Sequence, residues 1–126
     1  MAEAKAKLNN YRQSPRKVRL IASAIRGKSV SEAKNQLDFM IKRAASPIHK
    51  LLNSAVSNAK NIGLDSANLE IKSVTVDGGK ILYRRMPVAH GAAHPIHKRT
   101  SHVEIVLSEK EVAPKKNPIK KEKKQK

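Results

Sequence analysis

Four of the five histidines of this 126-residue chain fall in residues 78–103, together with Lys80, Arg84, Arg85, Lys98 and Arg99, and that stretch holds no Asp or Glu. Such residues serve three chemistries: metal ligation, proton transfer and anion binding. For a metal, His90, His94, His97 and His102 lack a Cys or a nearby carboxylate to complete a tetrahedral set. The three-residue step from His94 to His97 also places those two on opposite faces of a strand. For catalysis there is no cysteine, no Gly-rich phosphate loop and no pair of carboxylates near a histidine, and Ser101 and His102 face apart as strand neighbours. The chain is therefore read as a non-enzyme with no catalytic residues, no metal and no cofactor. Anion binding is the chemistry that remains.

The charge balance points the same way. There are 27 Lys+Arg against 10 Asp+Glu, a formal charge of +17. Self-repulsion of that size opposes a compact monomer and attracts a polyanion, of which nucleic acid is the first choice. No helix pairs a basic face with a long apolar one, as a membrane-surface helix would, and no apolar run approaches the ~20 residues of a membrane span, so no membrane partner is expected. Tyr11, Phe39 and Tyr83 are the only aromatics. Base-stacking platforms need more, so contacts to phosphate and sugar, reading shape, are expected. The lack of cysteine fits a reducing compartment and the N-terminus has no signal-peptide core, so the expected location is cytoplasmic.

The elements that must position these residues follow from pattern. Residues 5–13 are extended and polar, an edge strand. Ser14-Pro15 reads as an N-cap followed by proline at the first helical position. Val18, Ile21, Ala22 and Ile25 then share one helical face, and Gly27 supplies a left-handed stop. Ser29 and Glu32 make a capping box for a second helix with Ala33, Leu37 and Met40 or Ile41 as its stripe. A third helix begins near Ala44 or at Ser46-Pro47 and runs to Ile62, buried through Ile48, Leu51, Leu52, Ala55, Val56, Ala59 and Ile62, and stopped by Gly63. Residues 69–76 form a strand, Asp77-Gly78-Gly79 a turn signal, and Val103, Ile105 and Leu107 a half-buried strand.

The fold class is α+β: three helices packed on a small three-stranded antiparallel sheet, with a long protruding β-hairpin over about residues 80–106. The buried face of each arm turns polar on leaving the body, so the arms project. Ten to twelve residues per arm allow roughly 30–40 Å of reach at ~3.3 Å each, with irregular structure beyond Pro87 and Pro95. Residues 1–107 form one domain. Residues 108–126, with eight lysines and three glutamates, cannot bury enough apolar surface to fold and are read as a disordered basic tail.

Two basic clusters emerge. One surrounds the first helix start: Arg12, Ser14, Arg16, Lys17 and Arg19, where free amides and a dipole end favour phosphate. The other is Arg84, Arg85, Lys98 and Arg99, which present charge on both sides of the ribbon. An alternative with the same features is an HU-like architectural DNA-binding protein gripping duplex DNA with β-ribbon arms.

Residues 11–20 (YRQSPRKVRL), 25–28 (IRGK), 53–59 (NSAVSNA) and 98–102 (KRTSH) resemble, in order, the ribosomal protein L twenty-two family of the bacterial large subunit. The resemblance covers about residues 8–107. It implies a body near the outer end of the polypeptide exit tunnel and a hairpin running inward through large-subunit rRNA. It further implies a role in subunit assembly, neighbouring ribosomal proteins including L four at the tunnel constriction, and no homo-oligomer. Carried over residue by residue, rRNA contacts fall on Arg12, Ser14, Arg16, Lys17, Arg19, Arg84, Arg85, Met86, Lys98, Arg99 and His102. The tip that lines the tunnel, beside the nascent polypeptide, is Val88, Ala89, His90, Gly91, Ala92, Ala93, His94 and Pro95. Tips of the family carry several arginines or lysines; this one keeps Gly91 and has almost none.

Overall fold

A computed structural model describes residues 2–110; Met1 and residues 111–126, which include most of the expected tail, lie outside the described residues. The elements run β1 (Glu3–Tyr11), α1 (Pro15–Ile25), α2 (Val30–Phe39), α3 (Ala45–Ile62), β2 (Leu69–Gly78), β3 (Leu82–Pro87), a 3-10 turn (Ala89–Gly91), β4 (Ala93–Lys98) and β5 (Ser101–Glu109). The expected class is what forms: β1, β5 and β2, in that order, make an antiparallel sheet. The helices pack on it, α1 over β2, α3 over β1 and β5, and α2 against α3.

Local chemistry accounts for the helix ends. Pro15 opens α1 where its missing N–H costs nothing. Ser29 accepts the Glu32 amide, the first half of the capping box. Gly63, at φ +88°, closes α3: its N–H and that of Leu64 bond to the Lys60 and Ala59 carbonyls. The third helix starts at Ala45, so Pro47 occupies its first turn, where amides lack helical partners anyway.

The core follows the periodicities. Val18, Ile21, Ala22 and Ile25 of α1 are buried, as are Ile48, Leu51, Leu52, Ala55 and Ala59 of α3 and Val103, Ile105 and Leu107 of the central strand β5. One expectation fails at a helix end, where a stripe runs past its partner surface: Ile62 is exposed. Of the two candidates closing the α2 stripe, Met40 packs on the core and Ile41, just beyond α2, is fully exposed; Val56 is half-buried against the core.

The hairpin is a sheet of its own. β3 pairs with β4 alone, from Leu82 opposite Lys98 to Pro87 opposite Ala93. Its six residues per arm span roughly 20 Å, and a break at the base and the tip make up the rest of the projection. Between Gly78 opposite Ser101 and Leu82 opposite Lys98, three residues on one arm face two on the other. Thr100, almost fully buried, spans this break: its carbonyl accepts the Gly79 amide (2.9 Å) and its hydroxyl donates to the Lys80 carbonyl (2.6 Å). A Cβ on Gly79 would lie 2.5 Å from Thr100 Oγ1 and 3.0 Å from His102 Nε2, so only glycine fits there.

The irregularity expected outward of Pro87 and Pro95 sets in directly after Pro87 on one arm, but only past Ala93, two residues beyond Pro95, on the other. Pro95 sits inside β4 opposite Arg85. A two-stranded ribbon has two open edges, and proline is tolerated where its missing N–H would point outward. The last strand reaches Glu109, two residues into the segment read as tail.

Candidate nucleic-acid interface

The fold brings one part of each basic cluster together: Arg12, Ser14 and Lys17 from the first, Lys98 and Arg99 from the second. An open cleft of about 860 Å³ lies at the root of the hairpin, lined by Arg12, Gln13, Ser14, Lys17, Arg43, His97, Lys98 and Arg99. Arg12 and Gln13 come from the turn after β1, Ser14 and Lys17 from the start of α1, and His97 to Arg99 from the inward end of β4. Five cations therefore share one cavity with no carboxylate among its lining residues. Among the described residues the ion pairs are Lys5–Glu3, Lys72–Glu3, Lys7–Glu104 and His49–Asp38, so none of the five is neutralised from within. Like charges held this close repel one another, and an anion in the cleft relieves that repulsion.

The helix start adds to the field. Ser14 sits at the N-cap with extended backbone, but its hydroxyl makes no capping bond. Its carbonyl instead accepts from the Lys17 and Val18 amides. The hydroxyl is thus left for a ligand at the positive end of the α1 dipole.

The hairpin shaft carries the second surface. By strand alternation Arg84, with Ile96 opposite, and Arg85, with Pro95 opposite, point to opposite faces. Arg84, Arg85, Met86, Lys98 and Arg99 are all exposed. The one ring contact in the ribbon is Tyr83 against His97, edge to face at 5.0 Å. The tip turns through His90 at φ +59° and Gly91 at φ +71°. Val88 there is half-buried, and the rest, Ala89 to Pro95, is exposed and carries no Lys or Arg.

Other expected contacts are placed differently. Arg16 is exposed on the first turn of α1, outside the cleft. Arg19 lies on the far side of α1 and donates from Nε to the Val76 carbonyl (3.1 Å). His102 is used inward. A bulge between Leu8 and Tyr11 breaks the β1–β5 ladder, and His102 Nδ1 accepts the Asn10 amide (3.1 Å), which leaves the ring proton on Nε2. The four histidines are not gathered: His94 lies opposite Met86, His97 packs on Tyr83, His102 fills the bulge and His90 sits at the tip.

Sequence reasoning missed Arg43, Gln13 and His97 as cleft residues. The adjacent Lys42-Arg43 pair before α3 was a signal of basicity, but nothing in its position along the chain tied it to the hairpin root.

These features define a class: a basic α+β protein whose unpaired cations line a cleft and a projecting ribbon, built to lie against a polyanion backbone. Comparison with known sequences then fixes the family. The profile of the family described as "Ribosomal protein L22p/L17e" matches residues 6–108, and the chain belongs to that family. It is similar to the "Large ribosomal subunit protein uL22" of Mycoplasma capricolum, with 54% identity over 108 residues, 85% of this chain and 97% of the relative. It is also similar to proteins of the same name from Syntrophotalea carbinolica (50% over 109 residues, 86% and 99%) and Lactobacillus helveticus (51% over 112 residues, 87% and 95%). The HU-like alternative finds no support in these comparisons. The family match ends at residue 108, so the lysine-rich segment beyond lies outside it.

Proposed function

We propose that this chain is a structural constituent of the large ribosomal subunit that binds large-subunit rRNA, supports subunit assembly and lines the polypeptide exit tunnel with its hairpin tip. Its place is the cytoplasmic ribosome. The observation that carries the reading is the cleft of five unpaired cations at the hairpin root, in a chain of this family. Arg12, Ser14, Lys17, Arg43, Lys98 and Arg99 take one stretch of rRNA backbone there. Arg84 and Arg85 take backbone on either side of the shaft, with Met86 in contact beside them. Arg16 reaches backbone from the open face of α1. His102 acts by filling the β1 bulge beside the base of the hairpin. The mechanism is neutralisation of phosphate charge combined with shape, since the exposed surface offers few groups that read bases.

The tip then needs little charge. Val88, Ala89, His90, Gly91, Ala92, Ala93, His94 and Pro95 form a small, neutral cap beside the nascent polypeptide, next to the neighbouring protein L four at the constriction. Two experiments test the reading. Affinity of the folded protein for large-subunit rRNA should fall steeply and log-linearly with salt; affinity independent of salt refutes it. A photoreactive residue at Ala92 should crosslink to nascent chain in translating ribosomes, and crosslinks to rRNA alone would remove the tunnel role.

A further inference from the structure

We propose that Arg19, Ser23 and Arg26 form a second phosphate-binding site, separate from the cleft and made for one phosphate of an RNA backbone. The inference rests on the rRNA-binding reading. Arg19 Nε donates to the Val76 carbonyl (3.1 Å) and Arg26 Nη2 to the Val74 carbonyl (2.8 Å). Both carbonyls lie on the outer edge of β2, two residues apart, or roughly 7 Å along the strand. Each guanidinium has five N–H groups and uses one on β2, so each keeps four to offer. Neither takes part in an ion pair among the described residues, and both side chains are exposed.

Between them is a cavity of about 300 Å³, lined by the two arginines, Ser23 and the edge of β2. Residues 19, 23 and 26 form one stripe of α1, because steps of four and three residues return to the same face. The serine hydroxyl therefore joins the two guanidinium groups at one opening. A phosphate there takes charge-assisted bonds from both arginines, which the backbone has already oriented, so little side-chain order is lost on binding. Asp77 also lines the cavity. Its carboxylate opposes a second anion and restricts the site to one.

The site shares no residue with the cleft. Lys17 and the Arg19–Ser23–Arg26 stripe flank the buried stripe of Val18, Ile21, Ala22 and Ile25 on opposite sides. A single helix thus carries two phosphate sites facing different directions.

The test is arginine modification by phenylglyoxal on the full chain, free and bound to large-subunit rRNA, read residue by residue by mass spectrometry. Protection of Arg19 and Arg26 alongside Arg12 and Arg99 is expected. Protection of Arg12 and Arg99 with Arg19 and Arg26 as reactive as in the free protein overturns the second site alone. No protection anywhere overturns the rRNA-binding reading and this one with it. A second measurement uses Arg19→Gln with Arg26→Gln, since glutamine still donates to the strand carbonyls. The slope of log affinity against log salt should become shallower by about one, and Asp77→Asn should raise affinity a few-fold. An unchanged slope accompanied by a lower melting temperature would make the arginines purely structural and remove the site.

Discussion

The molecule has two antiparallel sheets joined by continuous chain, and they are stabilised in different ways. In the body, β5 alternates buried Val103, Ile105 and Leu107 with half-exposed partners, and helices cover one face. In the hairpin, β3 and β4 keep every residue but Leu82 and Ile96 exposed and have no helix against them. The body excludes water from one face of its sheet by its own packing. An isolated two-stranded ribbon has no such face and is marginal in water. The charges divide in the same way: Arg84, Arg85, Lys98 and Arg99 stand on the ribbon, which has no packed face of its own.

This comparison predicts effects that separate cleanly. Ile105→Ala, in the fully buried centre of β5, should cost about 2–5 kcal/mol by cavity formation. Thermal melting will show it, while the salt slope of rRNA binding in the folded fraction stays unchanged. The opposite experiment replaces Arg84, Arg85, Lys98 and Arg99 together by glutamine. rRNA affinity should fall on the order of 100-fold and the salt slope by about three, at little cost to the melting temperature. Equal damage to folding and binding from either variant would break the comparison.

Gly79→Ala probes the join between the sheets. The added methyl meets Thr100 Oγ1 and His102 Nε2, an overpacking that should cost about 1–3 kcal/mol. Amide hydrogen exchange should quicken at Thr100 and in the hairpin before it does in β5.

The smallest effect concerns Glu3. Lys72, reaching across β5, holds its carboxyl below the ordinary value of 4.5 by hydrogen bond and charge, with a lesser contribution from Lys5. A depressed carboxylate pKa stabilises the fold above the unfolded-state value, and that contribution is lost as pH falls through the folded-state value. Melting curves from pH 7 down to pH 3, roughly spanning carboxylate titration, should decline less for Glu3→Gln below pH 4.5 than for the unaltered chain. Parallel declines would show that the ion pair contributes nothing.

Local rules read well in this chain. Ser14-Pro15, Ser29 with Glu32, Gly27 and Gly63 marked helix ends through backbone constraints that act within a few residues. The 3.6-residue and two-residue periods identified Ile25, Leu52 and Ile105 as core. Where local rules fell short, the deciding partner was distant in sequence. Ile62 and Ile41 fit a stripe, but no neighbouring surface extends far enough to cover them. Pro95 looks like a strand breaker and is not one, because the ribbon edge it occupies is open.

What the sequence determined alone was the class, the charge and the separation of a basic shaft from a neutral tip, because composition and alternation are properties of the chain itself. The family's hallmark segments were equally legible. What only the tertiary structure decided was which charges act together. Arg43 joins Arg12, Lys17, Lys98 and Arg99 because the loop before α3 folds back to the root of the hairpin. Arg19 leaves that group because the helical period turns it toward β2, where it caps a strand carbonyl 57 residues away. Charge is carried by each residue, but a binding site depends on distances, and those are set by packing the helices on the sheet.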